Sequence, residues 1–161
     1  MTTPYHDPAT TPATHPWPPI LLAAIAVAAV GFGTLAPLPW PGIHDTAGHI
    51  AGLSLGIAGL ALFAWAAWTL RRHGTTILPD KPADVLVTDG PFRSRRNPIY
   101  VAHVLMLLGV AELTQNIWFV IFAVLYIPLV TWLAVLPEER HLEARFGEDY
   151  RAYKARTRRW I

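Results

Sequence analysis

Most of this chain carries no charge, and the positions of the uncharged stretches limit what it can fold into. Its 161 residues include 13 Lys and Arg and 11 Asp and Glu. None of these lies between Asp7 and Asp45, Asp45 and Arg71, Arg96 and Glu112, or Glu112 and Glu138, leaving gaps of 37, 25, 15 and 25 residues. A bilayer core about 30 Å thick takes about 20 helical residues to cross at about 1.5 Å each. Three gaps are long enough to span, and the 15-residue gap is borderline. Charged residues make up 15% of the chain, against about 25% in soluble domains, so an ordinary soluble domain is excluded. A free cytosolic enzyme and a DNA-binding module go with it. A net charge of +2 gives no reason to invoke nucleic acid as a partner; the bilayer is the partner the composition requires.

The expected architecture is all-α, an integral membrane bundle of about four helices with a helical C-terminal segment in the cytosol. Residues 1–19 hold six prolines and no Lys or Arg, and read as a disordered tail without the basic start of a signal peptide. A single membrane domain follows over 20–161, with spans near 20–36, 47–70, 98–111 and 117–136. Gly48, Gly52 and Gly56 recur every four residues, placing three missing side chains on one face of the second span. That pattern lets two membrane helices approach closely; glycine scattered in an Ala-rich span is the plainer reading. Pro128 should kink the fourth span. Trp40, Trp65, Trp68, Trp118 and Trp132 sit near span ends, where interfacial anchors belong.

All basic residues fall in two segments. Loop 71–97 holds Arg71, Arg72, Lys81, Arg93, Arg95 and Arg96, and the C-terminal tail holds the other seven. Four crossings put both segments on one side, which the positive-inside rule makes cytosolic, at the cytoplasmic membrane if the cell is bacterial. Three crossings would divide them, and the charge count argues against that.

Chemistry is expected in the same two segments. Val85-Leu86-Val87 reads as a short extended piece, and Asp89-Gly90-Pro91 as a turn with Gly90 at positive φ. Asn97-Pro98 reads as a helix start, with Asn as N-cap and Pro at the first position. A helix N-terminus beside Arg95 and Arg96 can hold an anion such as a carboxylate; alternatively Arg93, Arg95 and Arg96 touch lipid phosphate as anchors. Pro137-Glu138-Glu139 fits a first helical turn, Gly147 a C-cap, and Tyr150 with Tyr153 a resumed helix. Arg151 to Arg159 suit a basic face on the membrane surface, but two acids there are better explained by a partner such as Arg95 or Arg96. Cysteine is absent, so there is no thiol nucleophile. His49 and His103 lie inside spans as helix-contact or substrate-pocket candidates. His73 and His141 flank the proposed site, and no histidine pair has helical metal-ligand spacing.

Together, Gly90-Pro91-Phe92-Arg93-x-x-Arg96-Asn97-Pro98-Ile99-Tyr100 and, roughly 40 residues later, Glu138-Glu139-x-x-Leu142-x-x-x-Phe146-Gly147-x-x-Tyr150-x-x-Tyr153 resemble a known family. It is the isoprenylcysteine carboxyl methyltransferase and phospholipid methyltransferase superfamily of integral membrane enzymes, and the likeness covers roughly 45–161. The resemblance implies an S-adenosylmethionine-dependent methyltransferase, its cofactor at the cytosolic end of the bundle and its lipophilic or small acceptor entering from the bilayer. Carried over by position, the cofactor would be held by Leu86, Val87, Gly90, Pro91, Arg96, Asn97, Pro98, Tyr100 and Glu139, with Glu138, Tyr150 and Tyr153 as further contacts. Arg96 and the helix start at Pro98 suit its carboxylate, and Glu139 its ammonium. Many relatives have His where this chain has Asn97, and Asn cannot act as an acid or base near neutral pH. The acceptor group (carboxylate, amine or thiol), the oligomeric state and any catalytic base stay open. A non-catalytic membrane subunit that keeps the cofactor scaffold is the alternative.

Overall fold

The computed structural model describes residues 17–42, 44–75 and 85–161. The chain forms the all-helical bundle expected from its charge gaps: α1 (Trp17–Leu35), α2 (Thr46–Arg72), α3 (Pro98–Thr114), α4 (Ile117–Val130), α5 (Leu136–Phe146) and α6 (Glu148–Arg156). There is no strand among the described residues, only one parallel bridge between Arg95 and Arg158. Pro18–Leu35, Thr46–Arg72 and the continuous helix Ile117–Phe146 are long and apolar enough to cross a membrane, and α3 is a shorter apolar helix.

Two helix pairs make the bundle. In the first, α2 lies along α3, and missing side chains set the distance. A Cβ on Gly109 of α3 would stand 2.6 Å from the Gly56 nitrogen and 2.8 Å from the Gly52 oxygen. On α2, a Cβ on Gly59 would meet the Ala102 oxygen at 2.9 Å, and one on Gly52 would meet the Glu112 side chain at 2.7 Å. Apolar side chains gain little by leaving lipid tails for one another, so close backbone contact of this kind holds membrane helices together.

In the second pair, α1 packs on α4. Phe32 sits 4.8 Å from Trp118 and 5.7 Å from Phe122, Asn116 Nδ2 donates to the Ala29 carbonyl at 3.0 Å, and Trp118 Nε1 donates to that of Ala36 at 2.8 Å. A tight turn reverses α3 into α4: Gln115 takes the left-handed conformation (φ 52°) and Asn116 caps Trp118 N at 3.0 Å. Between the pairs lies a core of Tyr100, Leu107, Phe119, Tyr126 and Val130. Val27, Leu53, Ile57, Val124 and Trp132 point outward, an apolar belt that the bilayer covers.

Several local expectations are revised. α1 starts at Trp17, so residues 17–19 belong to the helix rather than the tail, and Pro18 and Pro19 fit a first turn that needs no amide donors. The extended piece expected at Val85-Leu86-Val87 pairs with no strand among the described residues. Asn97 precedes α3 without capping it; its side-chain amide donates to the Arg159 carbonyl instead. Pro137 does not open a separate helix. A π-helical turn, Thr131–Val135, joins α4 to α5 without a break, so the first turn of α5 has no exposed N-terminus to favour its acids. The wider i→i+5 turn also follows Pro128 and precedes Pro137, which both lack an amide donor. The expectations on residues 1–16 and Lys81 lie outside the described residues.

Candidate functional site

Beyond Leu136 the long helix turns polar, with Glu138, Glu139, Arg140, Glu143 and Arg145 within eight residues. Gly147 (φ 52°) then lets the chain fold back as α6. Everything here is tied to the start of α3. Arg96 Nε donates to Glu139 Oε1 at 3.2 Å, and its Nη1 donates to the Thr157 and Lys154 carbonyls at 2.6 and 3.0 Å. Arg159 reaches the same carboxylate twice, Nε to Oε1 at 3.0 Å and Nη2 to Oε2 at 2.8 Å. The Arg96 and Glu139 side chains are only 10% and 8% exposed. A buried carboxylate between two guanidiniums is a strong charge-assisted cluster, and losing one partner would strand a charge. Of the two acids, Glu139 therefore has the expected partner Arg96, joined by Arg159, whereas Glu138 accepts from Tyr100 instead. Backbone bonds finish the tie: Arg96 N donates to the Arg158 oxygen at 2.9 Å, and Arg158 N to the Ser94 oxygen at 3.1 Å.

A cavity of about 540 Å³ opens beside this cluster. One part is polar, with Arg96, Asn97, Glu138, Glu139, His141, Tyr150 and Tyr153; the other runs along the bundle past Leu22, Ala26, Leu60, Phe63 and Met106. Tyr100 donates to Glu138 Oε2 at 3.3 Å, and Tyr153 to the Phe92 carbonyl at 2.7 Å. Burial pushes the Glu138 carboxyl up to about 7; the Tyr100 hydrogen bond works against that rise and the neighbouring Glu139 charge adds to it. Burial acts the same way on Glu139, but hydrogen bonds and charge from Arg159 and Arg96 outweigh it and hold that carboxyl below its ordinary value. Adjacent acids are thus driven in opposite directions, a pattern typical of functional sites. Burial likewise raises the Tyr153 hydroxyl to about 12.

Ten of the twelve expected cofactor residues line this cavity: Leu86, Val87, Arg96, Asn97, Pro98, Tyr100, Glu138, Glu139, Tyr150 and Tyr153. Gly90 and Pro91 do not. Gly90 (φ 55°) forms the 3-10 turn Gly90–Arg93 and packs on Thr69, where a Cβ would stand 2.8 Å from Oγ1; it borders a separate opening with Arg93, Arg95, Arg156 and Arg158. These two residues shape the turn that carries Arg96.

Three wall or cluster residues stand outside the twelve expected cofactor contacts. Arg159 looks in sequence like its neighbours Arg156 and Arg158, and only its tertiary partner sets it apart. His141 lines the cavity with both ring nitrogens unpaired. His103, already a pocket candidate, is buried on the cavity wall, with Nδ1 2.7 Å from the Tyr126 hydroxyl and its ring 5.9 Å from Phe63. His49 is exposed at the far end of α2, with Nδ1 3.0 Å from the Asp45 carbonyl, and takes no part in the cavity.

The sequence pattern of the phospholipid methyltransferase family matches residues 47–149, more than half of the chain. The chain belongs to that family. An uncharacterized protein of Haemophilus influenzae (strain Rd) is 30% identical over 63 residues, which cover 39% of this chain and the whole of that protein. No solved structure matches this chain significantly. The phospholipid methyltransferase match runs from the start of α2 into the first turn of α6. It therefore includes the α3 start, Glu138 and Glu139, but not α1, Tyr153 or Arg159.

Proposed function

We propose that this member of the phospholipid methyltransferase family is an S-adenosylmethionine-dependent methyltransferase, with the donor at the polar part of the cavity and the acceptor entering along the apolar part. The observation that carries this reading is the cavity itself, which joins the buried Arg96–Glu139 pair to an apolar passage between the long apolar helices. Its volume falls within the usual range for small-molecule sites, about 300–1,000 Å³.

The residues present fit the donor. Its methionyl end carries a carboxylate and an ammonium, complementary to Arg96 on one hand and Glu139 on the other. Its adenosyl end is neutral and flat, and suits Tyr150, Tyr153 and the backbone of Leu86 and Val87. When bound, the donor supplies an electrophilic methyl group on a sulfonium. The chain then has two tasks. The apolar walls from α1, α2 and α3 exclude water and align the acceptor, which is what an in-line displacement needs most. Where the acceptor is an amine or thiol, Glu138 can take its proton at Oε1 or Oε2, since burial makes this carboxylate more basic than an ordinary one. A carboxylate acceptor needs no base. With both basic segments at one end of the bundle, the positive-inside rule supports a cytosolic site.

A second reading, a non-catalytic subunit, draws on one fact: Arg96 and Glu139 already satisfy each other, as a purely structural cluster would. Titration calorimetry of the detergent-purified protein with S-adenosylhomocysteine tests both. Saturable binding is expected, weakened at least tenfold in Glu139→Ala, and no binding to the wild type would remove both readings. Tritiated methyl transfer into a host lipid and metabolite extract then separates them: incorporation supports the enzyme, and binding without incorporation supports the subunit.

A further inference from the structure

We infer that His141 is a ligand-recognition residue, whose imidazole hydrogen-bonds the adenosyl end of the donor molecule. The inference rests on the reading that this cavity holds S-adenosylmethionine. His141 sits on α5, is 8% exposed and lines the cavity, yet neither Nδ1 nor Nε2 has a partner among the described residues. Buried polar atoms are nearly always paired, so each exception calls for an explanation. Among the described residues, Trp40, Asp89 and Glu112 each leave one such side-chain atom, and His141 alone leaves two.

Position on the helix sharpens the point. Glu138 and Glu139, one turn earlier, are already engaged, by Tyr100 and by the two arginines. His141, by contrast, leaves both of its ring nitrogens unused. A neutral imidazole offers one donor and one acceptor, which suits ring nitrogens, an exocyclic amine and ribose hydroxyls rather than a zwitterion. The charged methionyl end already has charged counterparts in Arg96 and Glu139. Division of labour follows: the charged cluster takes the ionic end, and His141 with the Tyr150 and Tyr153 rings takes the neutral, flat one.

A purely structural residue at this position would be better as leucine, which packs without leaving polar atoms unpaired. His141→Leu should therefore melt at a higher temperature than wild type without ligand, yet bind S-adenosylhomocysteine about tenfold more weakly, the loss of roughly one good hydrogen bond. His141→Gln, which keeps a donor and an acceptor, should recover most of that affinity. In competition experiments adenosine should lose affinity by a similar factor in His141→Leu, whereas methionine should be unaffected. Calorimetry and a thermal melt of the detergent-purified protein read all of these. Equal affinity in wild type and His141→Leu would overturn the inference and leave the cofactor reading standing. A lower melting point together with weaker binding of adenosine and methionine alike would also overturn it, as the mark of a structural role. Failure of the wild type to bind S-adenosylhomocysteine would overturn the cofactor reading and the inference with it.

Discussion

Glu139 shows how much a single carboxylate can hold together. It receives Arg96 from the start of α3 and Arg159 from beyond α6, and its carboxyl stays below its ordinary value because both guanidiniums outweigh burial. The unfolded chain binds a proton at about pH 4.3, whereas the folded chain resists until a lower pH. The stability that Glu139 contributes is therefore full above about 4.3 and is lost as pH falls through the folded value. Glu139→Gln should melt well below wild type at pH 7, by the equivalent of about 3 kcal/mol for an unpaired buried charge. That gap should begin to close as the pH drops below about 4.3. Melts followed by tryptophan fluorescence between pH 7 and 3.5 check this, and a constant gap would show that the ion pairs contribute nothing. Half of this cluster could be read in the sequence. Glu138 and Glu139, two acids in an otherwise basic segment, called for a cationic partner, and Arg96 stood in the other motif. Arg159 could not be found, since the local pattern of Arg156, Arg158 and Arg159 does not indicate which one turns inward.

Among the elements, the helices were legible and their joints were not. Charge-free gaps located the spans because a desolvated charge is costly enough to be kept out of them. The Gly48, Gly52, Gly56 spacing pointed to a close helix contact, but its partner on α3, Gly109, shows no repeat of its own. At Gly109 an added Cβ would press on the backbone of both Gly52 and Gly56, and backbone has no rotamer by which to yield. Gly109→Ala should therefore destabilise the bundle by about 1–3 kcal/mol, the usual cost of overpacking. Gly31 on α1 has nothing within 4 Å of its Cβ position, so Gly31→Ala should be neutral or slightly stabilising through reduced chain entropy. Comparing melting temperatures of the two variants in the same detergent decides the matter. Similar losses would mean that α2 and α3 can move apart freely. The π turn between α4 and α5 left no mark in the sequence beyond its flanking prolines, which are equally compatible with a kink or a break. Its consequence is functional placement: Glu138 and Glu139 ride on a continuous extension of a membrane helix rather than on a surface loop.

On the scale of the whole molecule, the site belongs to no single element. α1, α2 and α3 wall its apolar part, the start of α3 and α5 hold its charges, and the last residues of the chain bind these together. Thr157 accepts from Arg96 through its carbonyl, the Arg159 carbonyl accepts from Asn97, and the Arg158 backbone bonds to both Ser94 and Arg96. The contacts that pair α2 with α3 and α1 with α4 involve none of these residues. Removing Thr157–Ile161 should therefore separate the two layers of organisation. A chain ending at Arg156 should still assemble its membrane helices and keep its helical circular dichroism in detergent. It should also lose S-adenosylhomocysteine binding, because Arg96 and Asn97 lose their anchors and Glu139 its bidentate partner. Affinity within threefold of wild type would show that the terminal residues merely rest on the site. Loss of helicity along with binding would show that the membrane bundle depends on its polar cap, contrary to the separation of contacts. The expected result, an intact bundle without a working pocket, follows from charge placement: the uncharged stretches build the membrane scaffold, and the basic C-terminus closes the pocket at its end.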